Sequence, residues 1–361
     1  MRSRIVWSLA LALGCSDATE SNTPFNPTTA DPTDIGDDTA ADGSDGDAGA
    51  DADTGDRPTD AGGHDDHGDD GSSDAGDDGA TTGDSTDGGG DPNCYSEPLD
   101  PDENVDDIVG SYGGAGYKMQ VIEAMQRRWP AGAWLLQERI DDPYWGQFSD
   151  SSSWEGMVGW LDTLVHEQTH LFNAYHAIDV GENAALYFRE DKILYLPTDQ
   201  GFARAEILQH LIPEAQAGIY AGTYLQGSQG ERQFNPLLDE ANAYANEVPG
   251  LSVFGEYFGG FGLSLRDGSA AFLYFLEVYL RVGRTEHPEW YAWAKTQPVY
   301  LEAVELLWLR THFFYEEVAD GFPSLGIEDG VYRAAAYEPE NLAELSMFTG
   351  KVFDASSCVV P

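Results

Sequence analysis

The chain has 361 residues, with 64 acidic against 18 basic side chains and a formal net charge of −46. A surface so short of cations cannot neutralise a phosphate backbone, which excludes nucleic acid as a partner. The length allows one domain of ordinary size plus a long extension.

Arg2 and Arg4 precede an apolar run from Ile5 to Leu13. The run is far too short to span a bilayer as a helix and is typical of a secretory signal. It ends in Leu11-Ala12-Leu13-Gly14-Cys15, which resembles a bacterial lipoprotein signal. That resemblance implies cleavage before Cys15, a lipid on Cys15 and, with Ser16 next, sorting to the outer membrane or cell surface. From about Ser16 to Pro92 nearly every residue is Asp, Gly, Ala, Thr or Ser, as in Asp42-Gly43-Ser44-Asp45-Gly46-Asp47. Such a stretch has too little apolar surface to offset chain entropy, so it is expected to be a disordered stalk, extended by repulsion among its aspartates. Asp51, Asp53 and Asp56 have a spacing seen in calcium loops, but no run supplies the glycine and closing glutamate of an EF-hand. The expected division is a signal peptide at 1–14, a stalk at 15–93 and a catalytic domain at 94–361. The cysteines Cys94 and Cys358 bracket that domain, and in an exported chain such a pair favours a disulfide.

Within the domain the hydrophobic pattern is mainly helical. Helices are expected near 117–128, 153–179, 201–211, 213–224, 236–247, 269–281, 298–319 and 339–348. Start signals are a Ser152/Glu155 capping box, Asn235 before Pro236, and prolines 298 and 339. Gly181, Gly283, Gly321 and Gly350 read as stops. One hairpin is expected, with Leu186–Phe188 and 193–196 flanking the polar turn from Arg189 to Lys192. The fold class is therefore mainly α, with a small β-hairpin. The many aromatic residues, such as Trp290, Trp308 and Phe314, fall at helical spacing and read as core.

His166-Glu167-Gln168-Thr169-His170 lies inside the 153–179 helix. Two imidazoles four residues apart share one helical face, so each can give one nitrogen to a zinc ion. Glu167 can then poise a metal-activated water as nucleophile. A catalytic zinc usually takes a third protein ligand. Glu240 is one candidate, because it sits beside the apolar face formed by Leu237, Ala241, Tyr244 and Val248, where a carboxylate needs a partner. His176 is the other, giving His166-x3-His170-x5-His176.

The first arrangement resembles the gluzincin class of zinc peptidases, in which a second helix donates a glutamate. The resemblance implies a zincin-like catalytic domain with His166, His170 and Glu240 as ligands. Tyr244 stands where thermolysin-like members place an aspartate that supports a ligand histidine, which implies that its hydroxyl either supports such a histidine or lines the site. The second arrangement resembles the metzincins, with Asn173 in place of their turn glycine. Leu171, Phe172, Tyr175 and Ile178 continue the helical period past Asn173, which favours Glu240.

The function expected is zinc-dependent hydrolysis of peptide bonds, with Glu167 as general base and Tyr244 as a candidate oxyanion donor. The expected partners are a peptide or protein substrate and a membrane reached through the lipid, the protein itself acting as a monomer. Two rivals remain: a non-catalytic envelope lipoprotein that keeps a zinc site, and a metal-dependent hydrolase of a non-peptide substrate.

Overall fold

The computed structural model describes residues 93–258, 265–318, 325–327 and 329–360. The expected signal segment, Cys15 and nearly all of the stalk lie outside the described residues, as does Gly321.

The described chain is mainly helical, with a small antiparallel hairpin. A short α1 (Asp106–Val109) leads to α2 (Tyr117–Arg128) and α3 (Pro130–Glu138), which pack on the long α4 (Trp154–Val180). The hairpin of β1 (Ala184–Arg189) and β2 (Lys192–Leu196) follows, with Leu186 opposite Leu194. A 3-10 turn (Arg204–His210) and the short helices α5 (Pro213–Gln216), α6 (Ile219–Tyr224) and α7 (Gly227–Gly230) lead into α8 (Phe234–Ser252). Then come α9 (Leu265–Glu286), α10 (Pro288–Ala294), α11 (Pro298–His312), α12 (Asp329–Ala336) and α13 (Pro339–Thr349), closed by β3 (Val352–Phe353) and β4 (Val359–Val360).

α4 starts where the Ser153 hydroxyl accepts the Gly156 N–H at 3.0 Å, so the cap is one residue later than the Ser152 expected from sequence. It ends at Gly181, whose φ of 81° places it in the left-handed region that glycine adopts without a Cβ clash. The helix is unbroken through Asn173 and runs to Val180. α8 begins at Phe234 rather than Pro236, and its start is held by Asp199, which accepts the Asn235 N–H at 2.6 Å. Gly283 does not stop α9, which continues to Glu286. The expected 201–211 helix is only the 3-10 turn, and the 213–224 helix is split around Gly218. The 298–319 helix ends at His312 and passes into a π-turn at Phe313–Val318.

α4 and α8 form the seam between two hydrophobic cores. α8 sends Leu237, Leu238, Ala241 and Tyr244 into one core, with α9 and α11. It sends Val248 and Leu251 into the other, with Leu161, Leu164 and Val165 of α4. Helices that are apolar on nearly every side must be buried from both directions, and this seam is where the polar site residues meet. Cys94 and Cys358 form a disulfide across 264 residues of sequence. It is flanked by two backbone hydrogen bonds, Tyr95 N–H to Ser357 C=O at 2.7 Å and Val359 N–H to Asn93 C=O at 2.8 Å. Among the described residues no helix is long and apolar enough to cross a membrane.

Candidate metal centre

His166, His170 and Glu240 are brought together on the α4–α8 seam, each offering one ligand atom within 4.8 Å of the others. The two Nε2 atoms are 3.2 Å apart. Glu240 Oε2 lies 3.4 Å from His170 Nε2 and 3.9 Å from His166 Nε2. An ion bound tetrahedrally through bonds of about 2.0–2.1 Å holds its ligand atoms about 3.3 Å apart, close to these spacings. The residues therefore fit a metal ion.

The far side of each ring carries its own carboxylate. His166 Nδ1 is 2.6 Å from Glu247 Oε2, and His170 Nδ1 is 2.7 Å from Asp239 Oδ2. With an ion bound at Nε2, a carboxylate at these positions accepts the proton of each Nδ1, the tautomer that ligation requires. Asn173 fixes Asp239 in turn, its Nδ2 donating to Asp239 Oδ1 at 2.7 Å and to Asn242 Oδ1 at 3.1 Å. Its Oδ1 accepts the Tyr187 N–H at 2.8 Å, which ties α4 to β1.

The electrostatics follow from burial. Desolvation acts to raise the Glu240 carboxyl, but His170, His166 and Arg204 outweigh it and hold it down at about 2. Burial, and then the positive His170, lower His166. Burial also opposes charge on His170, yet Asp239 and Glu240 overcome it and raise that imidazole. Burial, then Asp162 and Glu167, push Glu247 upward. Three electron-donating atoms facing one another across 3–4 Å are stable only with positive charge among them. A charged His170 supplies it in the side chains alone, and a divalent cation can take its place.

Glu167 is buried next to His166 on α4. Tyr244 is placed with its ring edge-on to His166 at a centroid distance of 4.8 Å, while its hydroxyl pairs with that of Tyr224 at 2.8 Å. Supporting the ligand histidines falls to Glu247 and Asp239 instead. His176 is not brought to the group: its Nε2 pairs with the Tyr195 hydroxyl at 2.8 Å, and its ring stacks on Phe172. An unbroken helix turns residue 176 well away from the face of residues 166 and 170.

Sequence reasoning missed Asp239, Glu247 and Arg204. Glu247 was legible, since seven residues past Glu240 is two helical turns along the same face. Arg204 is fully buried, its Nε donating to the Gln229 carbonyl at 2.7 Å and its Nη2 to the Gln229 amide oxygen. Its Nη1 has no hydrogen-bond acceptor among the described residues. No adjacent motif marks it.

Compared with protein-family models, curated protein sequences and solved structures, the chain matches none.

Proposed function

We propose that the domain is a zinc-dependent peptidase, anchored outside the cytoplasm. The observation that carries this reading is the convergence of His166, His170 and Glu240 beside Glu167. Two imidazoles and one carboxylate are a donor set suited to zinc, and three ligands leave a position open for water or substrate. A zinc ion held there lowers the pKa of water and polarises a substrate carbonyl.

The chain's own residues supply the remaining chemistry. Glu167 accepts the proton of the attacking water and returns it to the departing amine. Asp239 and Glu247 keep both imidazoles in the ligating tautomer. Tyr244 buttresses His166, and a turn of its hydroxyl away from Tyr224 would make it a donor to the oxyanion. The Cys94–Cys358 disulfide supports an oxidising compartment, in keeping with a signal peptide, a lipid on Cys15 and an acidic stalk as spacer. A free-standing test of the setting is intact-mass analysis of membrane-extracted protein, which should carry a lipid that Cys15→Ala lacks.

The test of the metal is elemental analysis of the full chain. One zinc per chain is expected, and it is lost in His166→Ala. A chain that binds no divalent metal would contradict the reading.

A further inference from the structure

Beside the metal centre lies a cavity of about 600 Å³, between the C-terminal half of α4, the hairpin and the start of α8. Ile178, Ala184, Leu186, Leu196 and Pro236 give it largely apolar walls. Its charged lining residues are Asp199, Glu231, Arg232 and Asp239. Both oxygens of Asp199 are engaged, by the Gly201 N–H at 2.8 Å and the Asn235 N–H at 2.6 Å. Both oxygens of Asp239 are engaged as well, by His170 and Asn173. Glu231 is exposed to solvent.

Arg232 differs. It is half-buried, and its guanidinium has neither a hydrogen-bond nor an ion-pair partner among the described residues. In this chain that is unusual, because acids outnumber bases 64 to 18. Arg127, Arg128, Arg139, Arg284, Arg310 and Arg333 each hold a carboxylate. The Arg204 N–H donates to the Arg232 carbonyl at 2.8 Å, and the Arg204 guanidinium is the buried one with a free Nη1. Burial works against the Arg204 charge, Glu240 supports it, and Arg232 opposes it. A guanidinium with no anion among the described residues, on the wall of a largely apolar cavity, fits a ligand with a carboxylate and an apolar body.

We propose that this cavity receives the C-terminal residue of a peptide, with its free carboxylate on Arg232 and its apolar side chain against Ile178, Leu186 and Leu196, making the enzyme a carboxypeptidase. The inference rests on the peptidase reading. Asp239 belongs both to the cavity wall and to the support of His170, so the cavity is one imidazole ring away from the ligand atoms. Asn173 and Ala174 line it one helical turn past His170, and Pro236 lines it one turn before Glu240, so a peptide seated there, at about 3.5 Å per residue, has about one helical turn to extend along both helices toward the ligands. Water adds across that C–N bond: the hydroxyl goes to the carbonyl carbon, and the proton goes to the nitrogen of the released amino acid. No co-reactant is needed.

The experiment is titration calorimetry of N-acetyl-leucine and N-acetyl-leucinamide into the zinc-loaded full chain and its Arg232→Gln variant. A parallel digest compares one apolar-ended peptide with its C-terminal amide. The acid should bind at least about tenfold more tightly than the amide, and Arg232→Gln should erase the difference. The free-ended peptide alone should be shortened, by one residue. Equal binding of acid and amide, or no binding, would overturn the pocket. So would an unchanged preference in Arg232→Gln, since the carboxylate would then sit on the metal. Cleavage of the amidated peptide at the same rate would overturn the carboxypeptidase inference and leave the peptidase reading standing. Carboxylate-selective binding with no cleavage would do the reverse, keeping the pocket and removing the reaction.

Discussion

At the residue scale, the site depends on what stands behind the ligands as much as on the ligands. Removing the negative charge in Asp239→Asn or Glu247→Gln leaves the three donor atoms in place but weakens the hold on each Nδ1 proton. Each variant should lower zinc affinity by about 10–100-fold, read by competition with a chelating dye. His176→Ala should leave that affinity unchanged, because its ring pairs with Tyr195 and Phe172 instead. His166, Glu167 and His170 were legible because the motif is local and its spacing is fixed by the helix. Glu240 was legible because a carboxylate beside a buried face needs a reason. Asp239 was not, since an aspartate next to a candidate ligand reads as solvated polar surface until the partner helix is placed. Arg232 and Arg204 were illegible for a related reason: what sets them apart, a guanidinium without an anion for Arg232 and one unbonded Nη1 for Arg204 among the described residues, is revealed only by the packed chain.

At the element scale, α4 and its glycine stop follow from periodicity and capping, as does the hairpin from its polar turn. The misses lie where tertiary packing overrides local signals. No helix is expected between 128 and 153, yet Pro130 serves as the first residue of α3, a position where its missing N–H costs nothing. Gly283 reads as a stop, but it lies inside α9 because Trp290 packs where its Cβ would be, with ring atoms 2.3 Å from that point. Gly268 on the same helix makes room for the Tyr244 ring in the same way, at 2.1 Å. Gly268→Ala should therefore push Tyr244 onto His166, destabilise the protein by about 1–3 kcal/mol in urea unfolding, and weaken zinc binding as well.

Glu277, also on α9, gives a pH dependence that is separate from the metal. It is fully buried, with Oε1 accepting from the Trp308 indole at 3.1 Å and Oε2 without a hydrogen-bond partner among the described residues. Burial raises its carboxyl well above the usual range, against smaller opposing effects of Trp308 and Arg281. A group raised on folding favours the folded state below its unfolded pKa of about 4.3, and that contribution is lost as pH climbs toward the folded value. Glu277→Gln should therefore raise the melting temperature at neutral pH, with the gain shrinking toward pH 4. A melting temperature that is equally altered at both pH values would contradict this account.

At the scale of the whole molecule, one buried polar chain joins the ends of the domain to its centre. Glu97, three residues past Cys94, holds Arg310 at 2.9 Å, and Arg310 reaches Asn246 of α8 at 2.8 Å. The disulfide keeps Glu97 beside that arginine, whose charge is otherwise stranded in the core. In the chain-entropy view, closing so long a loop stabilises by up to roughly 5 kcal/mol, so Cys94→Ala/Cys358→Ala should unfold at markedly lower denaturant. The sequence pairs the two cysteines by elimination and by compartment, whereas the Glu97–Arg310 pair spans too much of the chain to be foreseen.

The function proposed for this buried constellation is hydrolysis of peptides with Glu167 as base. Its most direct test is a mass-spectrometric digest of a peptide library by the zinc-loaded full chain, run beside Glu167→Gln. Cleavage by the native chain is expected, with a loss of about 10²–10⁴-fold in the variant, which still binds one zinc. Cleavage at the native rate by Glu167→Gln, or none by the zinc-loaded native chain, would contradict it.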